Sequence, residues 1–60
     1  MVQFLVTWTT NLFKDGVTCQ IKVEASNKID AAIRAAEQIK WYETLYPGFL
    51  YSIVSAEPIR

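Results

Sequence analysis

Two alternating stretches on either side of Asp15 and Gly16 constrain the fold of this chain most. In residues Val2–Thr10, and again in residues 17–25, apolar side chains recur at every second position, which is the period of a β-strand with one buried face. Asp-Gly between two such stretches is a strong hairpin signal. We therefore predict two antiparallel strands that share one buried face, formed by Val2, Phe4, Val6, Trp8, Val17, Cys19, Ile21, Val23 and Ala25.

A helix is predicted over residues 28–45. Asn27 is a suitable N-cap, and Asp30 lies in the first turn, where a negative charge suits the helix dipole. Pro47 and Gly48 end the helix and turn the chain. Apolar residues spaced by three and four predict a buried stripe, which consists of Ile29, Ala32, Ile33, Ala36 and Ile39, with Ala35, Tyr42 and Tyr46 along one flank.

Residues 49–56 have the composition of a third strand. The simplest arrangement that keeps the helix centred over the hairpin places the first strand in the middle of the sheet. We therefore predict an α+β fold of the ββαβ type in a single domain, residues 1–60. Its three-stranded antiparallel sheet has the order 2-1-3, and one helix packs on one face.

One face of such a sheet has no helix to cover it. We expect the large side chains Phe49, Tyr51 and Ile53 to point inward, because they fill a thin core better. The bare face would then carry an apolar strip of Leu5, Leu50 and Val54.

On the predicted helix, Trp41 falls beside Arg34 and Leu45, nearly opposite the buried stripe. One interpretation is that the helix ends before Leu45 and that Trp41 packs over Pro47 or a loop. The other is an interface anchor, since tryptophan is frequent at binding hot spots. The candidate partner-binding residues are therefore Trp41, Leu45, Arg34, Leu5, Leu50 and Val54.

The residue types argue against catalysis and metal binding. The chain has one cysteine, Cys19, and no histidine, so an intramolecular disulfide is impossible and a zinc site is not expected. No nucleophile has a histidine base, and the only glycines, Gly16 and Gly48, form no phosphate-binding loop. A chain of this length also has little room for a ligand pocket. We predict that the protein is not an enzyme and needs no cofactor.

Charge argues against a nucleic-acid partner. Six basic and six acidic residues give a net charge of zero, without the cluster of cations that phosphate binding needs. The best nucleic-acid case would stack bases on Tyr51 or Phe49 at the bare face, beside Lys22. No apolar run approaches the roughly 20 residues that span a bilayer, and the start of the chain lacks the features of a signal peptide. We expect no membrane partner and a cytoplasmic location.

The segment from Val23 to Ala36 carries the pattern V-x-A-S-N-x-x-D-A-A. It resembles a pattern of very small ββαβ accessory proteins of bacteriophages. The resemblance covers about a quarter of the chain and brings no catalytic residues with it. It implies a phage-encoded protein that binds a host protein, such as an enzyme or a defence component, in the host cytoplasm.

The function expected first is a non-catalytic protein-binding module, for example a phage-encoded inhibitor or modulator of a host protein. We also expect a homodimer, because a thin core gains from further burial. The alternatives are a small nucleic-acid-binding accessory protein and a structural subunit of a larger assembly.

Overall fold

Antiparallel pairing on both sides of the first strand builds the sheet. A computed structural model describes residues 1–59. Its elements are β1 (Val2–Thr10), β2 (Cys19–Ala25), α1 (Lys28–Ile39), a 3-10 helix (Lys40–Thr44) and β3 (Tyr51–Pro58). The strand order is β2-β1-β3 with antiparallel neighbours, and α1 packs on one face. The predicted α+β class, the ββαβ element order and the strand order are thus confirmed.

The core lies between the sheet and α1. Its buried members are Phe4, Val6, Trp8, Val23, Ala25, Ala31, Ala35, Ile39 and Phe49, and Cys19, Ile21, Tyr51, Ile53 and Ala56 pack against them. The predicted inward direction of Phe49, Tyr51 and Ile53 is confirmed. Val2 and Val17 are exposed instead, because Val2 begins β1 and Val17 lies in the turn before β2.

The buried face of α1 differs from the predicted stripe. Ile29 and Ile33 are 75% and 54% exposed, whereas Ala31 and Ala35 are fully buried. Both sets follow the helical period, so spacing alone does not choose between them. The sheet already supplies large side chains, and small alanines let the helix approach it closely. Packing volume therefore decides the face over the first turns of α1, where Ile29 and Ile33 stay outside, whereas Ile39 at the end of the helix is buried as predicted.

The start of α1 follows the prediction, and its end does not. The Asp30 backbone N–H donates to Oδ1 of Asn27 at 2.9 Å, which satisfies one free donor of the first turn. The Asp30 carboxylate also accepts from the Ser26 backbone N–H at 3.2 Å. The α-helix ends at Ile39 and not at residue 45. The chain then tightens into the 3-10 helix, which carries Tyr42 to the core side against Trp8.

A β-bulge interrupts the pairing of β1 with β3. Thr7 pairs with Ser55, but the next residue, Trp8, pairs with Ile53. Val54 is therefore the extra residue of the bulge. The bulge places Ile53 and Ala56 on the same face of the sheet, although they are three residues apart.

Substitution of the two kinds of helical isoleucine tests the assignment of the buried face. Ile39→Ala opens a cavity in the core, since Ile39 is only 1% exposed, and we expect a loss of about 2–5 kcal/mol in the free energy of unfolding. Ile33→Ala makes the same chemical change at an exposed position of the same helix and should cost less than about 1 kcal/mol. Urea unfolding followed by circular dichroism measures both. An equal loss for the two variants would contradict the assignment.

Candidate functional site

A cleft of about 520 Å³ opens between the turn end of the hairpin and the 3-10 helix. We call it the aromatic cleft; it is lined by Trp8, Thr10, Leu12, Phe13, Cys19, Gln20, Tyr42, Tyr46 and Phe49. None of these lining residues carries a charge at neutral pH. The volume falls within the range of roughly 300–1,000 Å³ that is usual for ligand sites. A cleft of this size is thus present despite the shortness of the chain, and the core residues Trp8 and Phe49 form part of its lining.

Tyr42 connects the aromatic side chains at this end of the molecule. Its ring centroid lies 6.2 Å from that of Trp8 and 5.8 Å from that of Phe49. The ring of Tyr46 stacks on that of Tyr42 with the centroids 6.3 Å apart, and the ring of Trp41 meets that of Tyr42 edge to face at 5.8 Å. These separations lie in the range at which aromatic rings attract one another, about 4.5–7 Å. The rings therefore support each other where α1 no longer covers the sheet.

Trp8 carries an unpaired hydrogen-bond donor. The side chain is 8% exposed, and its indole Nε1 is buried without a partner among the described residues. A buried donor without an acceptor costs about 1–3 kcal/mol. Trp8 lines both the aromatic cleft and a neighbouring groove of about 500 Å³, whose walls include Gln20 and Trp41.

Asn11 holds the chain beside the cleft. Its Nδ2 donates to the Gly48 carbonyl at 2.9 Å, and its Oδ1 accepts from the Leu50 backbone N–H at 2.9 Å. The Asn11 backbone N–H also donates to the Leu50 carbonyl at 3.2 Å. Gly48 has a φ of 80°, a conformation that favours glycine. These bonds fix the segment that buries Phe49, so Asn11 positions one wall of the cleft. The sequence marks Asn11 only as a turn residue.

The structure places two of the predicted partner-binding residues at the end of the molecule that carries the cleft. Trp41 is 60% exposed and packs against Tyr42, and Leu45 is exposed on the turn between Tyr42 and Tyr46. The α-helix does end before Leu45, yet Trp41 remains largely open to solvent. Arg34 lies away from the cleft, on α1. Its Nε donates to the Asp30 carboxylate at 3.0 Å in an ion pair.

The remaining three predicted residues form no continuous strip. Leu5 is partly buried on the central strand, whereas Leu50 and Val54 are exposed near the outer strand β3. Two polar cross-strand pairs separate them along the sheet, Thr7 with Ser55 and Thr9 with Ser52. The strip expected on the bare face is therefore interrupted, and a role for these three residues in binding a partner stays a prediction.

The side chains expected to stack bases also lie away from the bare face. Phe49 is buried, and Tyr51 packs against the core on the side of the helix. Lys22 lies on the bare face without either ring beside it. The arrangement that a nucleic-acid site would have used is therefore not present in residues 1–59.

Comparisons with protein-family models, with curated proteins and with solved structures found no match to the chain. Within residues 1–59, no helix has the length and apolar character needed to cross a lipid bilayer. The geometry of the aromatic cleft is therefore the main basis for inferring a function.

Replacement of Asn11 tests whether it shapes the cleft. Asn11→Ala removes the side-chain hydrogen bonds to Gly48 and Leu50, together with a longer one from the Thr10 hydroxyl, and should lower the free energy of unfolding by about 1–2 kcal/mol. It should also weaken the near-ultraviolet circular dichroism of the aromatic rings. Asn11→Asp keeps the acceptor for Leu50 and loses the donor to Gly48, so we expect an intermediate effect.

Asn27→Ala is the matched control, since it removes a hydrogen bond of the same length at the other end of the molecule. It should cost about 1 kcal/mol through the lost helix cap and leave the aromatic signal unchanged. If both alanine variants changed that signal equally, Asn11 would have no specific role at the cleft.

Proposed function

We propose that the chain is a non-catalytic protein-binding module and that it binds its partner through the aromatic cleft, with Trp41 at its side. The observation that supports this most is an uncharged cleft with an aromatic floor that the chain's own core leaves open. Exposed apolar side chains gather around it, among them Leu12, Phe13 and Tyr46. Clustered apolar surface of this kind is typical of sites where proteins meet.

The chemistry of the cleft favours an apolar partner group. A side chain that enters it would contact aromatic rings on several sides, and no cation or carboxylate of the lining would be desolvated. Tryptophan and tyrosine are enriched at binding hot spots because they bury a large area with few rotatable bonds. A carbonyl next to the inserted group would suit the unpaired Nε1 of Trp8. The best-fitting partner is thus a protein segment with an exposed apolar side chain.

The lining also supports binding over catalysis. General acid–base catalysis most often uses a histidine or a carboxylate. No lining residue of the cleft is a histidine, aspartate or glutamate. The resemblance of the segment 23–36 to small phage accessory proteins supports a host protein as the partner. A phage-encoded inhibitor or modulator is then the biological role that we propose.

Affinity capture with surface variants tests the proposal. Trp41→Ala and Phe13→Asp change exposed side chains at or beside the cleft, and we expect each to weaken partner capture by at least about tenfold, as hot-spot residues do. Ile29→Asp and Ile33→Asp are the controls, because both residues are at least as exposed as Phe13, at 75% and 54% against 53%, and lie outside the aromatic cleft. They should retain the partner. Loss with the controls and not with the cleft variants would contradict the proposed site.

The two tryptophans provide a second measurement of the same binding. Trp8 and Trp41 are the only indole donors of the chain, so a ¹H–¹⁵N spectrum has two indole signals to follow. Titration with the captured partner should shift both signals. A salt-sensitive complex with DNA or RNA that leaves both unmoved would favour the nucleic-acid alternative instead.

A further inference from the structure

The strand β2 forms an open and regular edge of the sheet. Its seven residues pair with β1 without interruption, from Val2 with Ala25 to Trp8 with Cys19. The strand at the opposite edge, β3, contains the bulge at Val54 and ends at Pro58. Bulges and prolines discourage the pairing of edge strands, and a regular edge without them offers free backbone N–H and C=O groups. A further strand would therefore add beside β2.

The bare face of β2 carries two opposite charges. Lys22 and Glu24 are both exposed and lie two residues apart on the same face. Their neighbours on β1 are the uncharged Leu5 and Gln3. The ion pair found within residues 1–59 joins other residues, Asp30 and Arg34. Both charges of β2 are thus available to a strand that adds at this edge.

We propose that β2 pairs antiparallel with β2 of a second copy of the chain, about a twofold axis at Val23. This register places Lys22 of each copy opposite Glu24 of the other, and directly opposed charges of this kind stabilise antiparallel pairs. An axis at Lys22 would oppose two lysines, and an axis at Glu24 would oppose two glutamates. Of the axes at Lys22, Val23 and Glu24, the charges therefore favour the one at Val23.

The helix-side residues agree with the same register. Ile21 of each copy lies opposite Ala25 of the other, so this register sets no charged residue against the partly buried Ile21. The helix α1 packs on one face of the sheet. The outer edge of β2 has no neighbouring strand, and no turn or loop within residues 1–59 makes a backbone hydrogen bond to it. Two three-stranded sheets would join into one sheet of six strands, with both helices on the same face.

Charge reversal tests this interface. In the proposed register, position 22 of each copy faces position 24 of the other. With Lys22→Glu both of these pairs consist of two glutamates, and with Glu24→Lys both consist of two lysines. Each single variant should therefore self-associate at least about tenfold more weakly than the wild type. The double variant Lys22→Glu/Glu24→Lys restores opposite charges and should regain association. Sedimentation equilibrium measures all four proteins, and circular dichroism confirms that each retains its fold.

Mixing the two single variants gives the sharpest measurement. A copy with two glutamates and a copy with two lysines are complementary, so the mixture should form heterodimers although neither variant dimerises well alone. Added salt should weaken the wild-type dimer and strengthen the single variants, because it screens both attraction and repulsion.

A wild-type chain that stays monomeric throughout the sedimentation range would overturn the proposal, as would a dimer that charge reversal leaves unchanged. A dimer that is lost only with Trp41→Ala would place self-association at the aromatic cleft instead. Charge reversal in β2 does not alter the cleft, so partner capture by the cleft can succeed or fail independently of the β2 interface.

Discussion

The close approach of α1 to the sheet is the constraint on which the rest of the structure depends. Ala31 and Ala35 touch the sheet with no side chain beyond Cβ, so large residues from the strands fill the space beneath them. Ile39 is the last buried residue of the helix. Residues 40–46 include no alanine or glycine that would let a helix continue close to the sheet. Aromatic rings take over the packing there, and they leave a cleft because flat rings do not close the remaining space.

The strands could be predicted from the sequence, and the buried face of the helix could not. A strand has only two faces, so alternation alone places Phe4, Val6 and Trp8 together once one face is buried. A helix presents many overlapping stripes, and hydrophobicity favoured the one with Ile29 and Ile33. The outcome depends on how much volume the sheet already supplies, which is a property of the assembled core and not of the helix segment.

The candidate site shows the same limit. The sequence singles out Trp41 and Leu45 because they fall away from the predicted stripe, and the structure places both, exposed, at the end of the molecule that carries the cleft. The cleft itself has no local signal, since Asn11 shapes it through hydrogen bonds to Gly48 and Leu50, which are distant in the sequence. The bulge at Val54 and the change from α-helix to 3-10 helix likewise have no local sequence signature. Features that depend on contacts between distant segments become visible only when the chain is folded.

The unpaired Nε1 of Trp8 links stability to binding. A domain of this size is stable by only about 3–9 kcal/mol, so a buried donor that costs about 1–3 kcal/mol removes a large share. Packing against Tyr42 and Phe49 accounts for a large aromatic ring at this position, but it does not account for the N–H group. A partner that offers an acceptor would remove the penalty only in the folded protein. Its binding would then stabilise the fold by more than the apolar contacts alone provide.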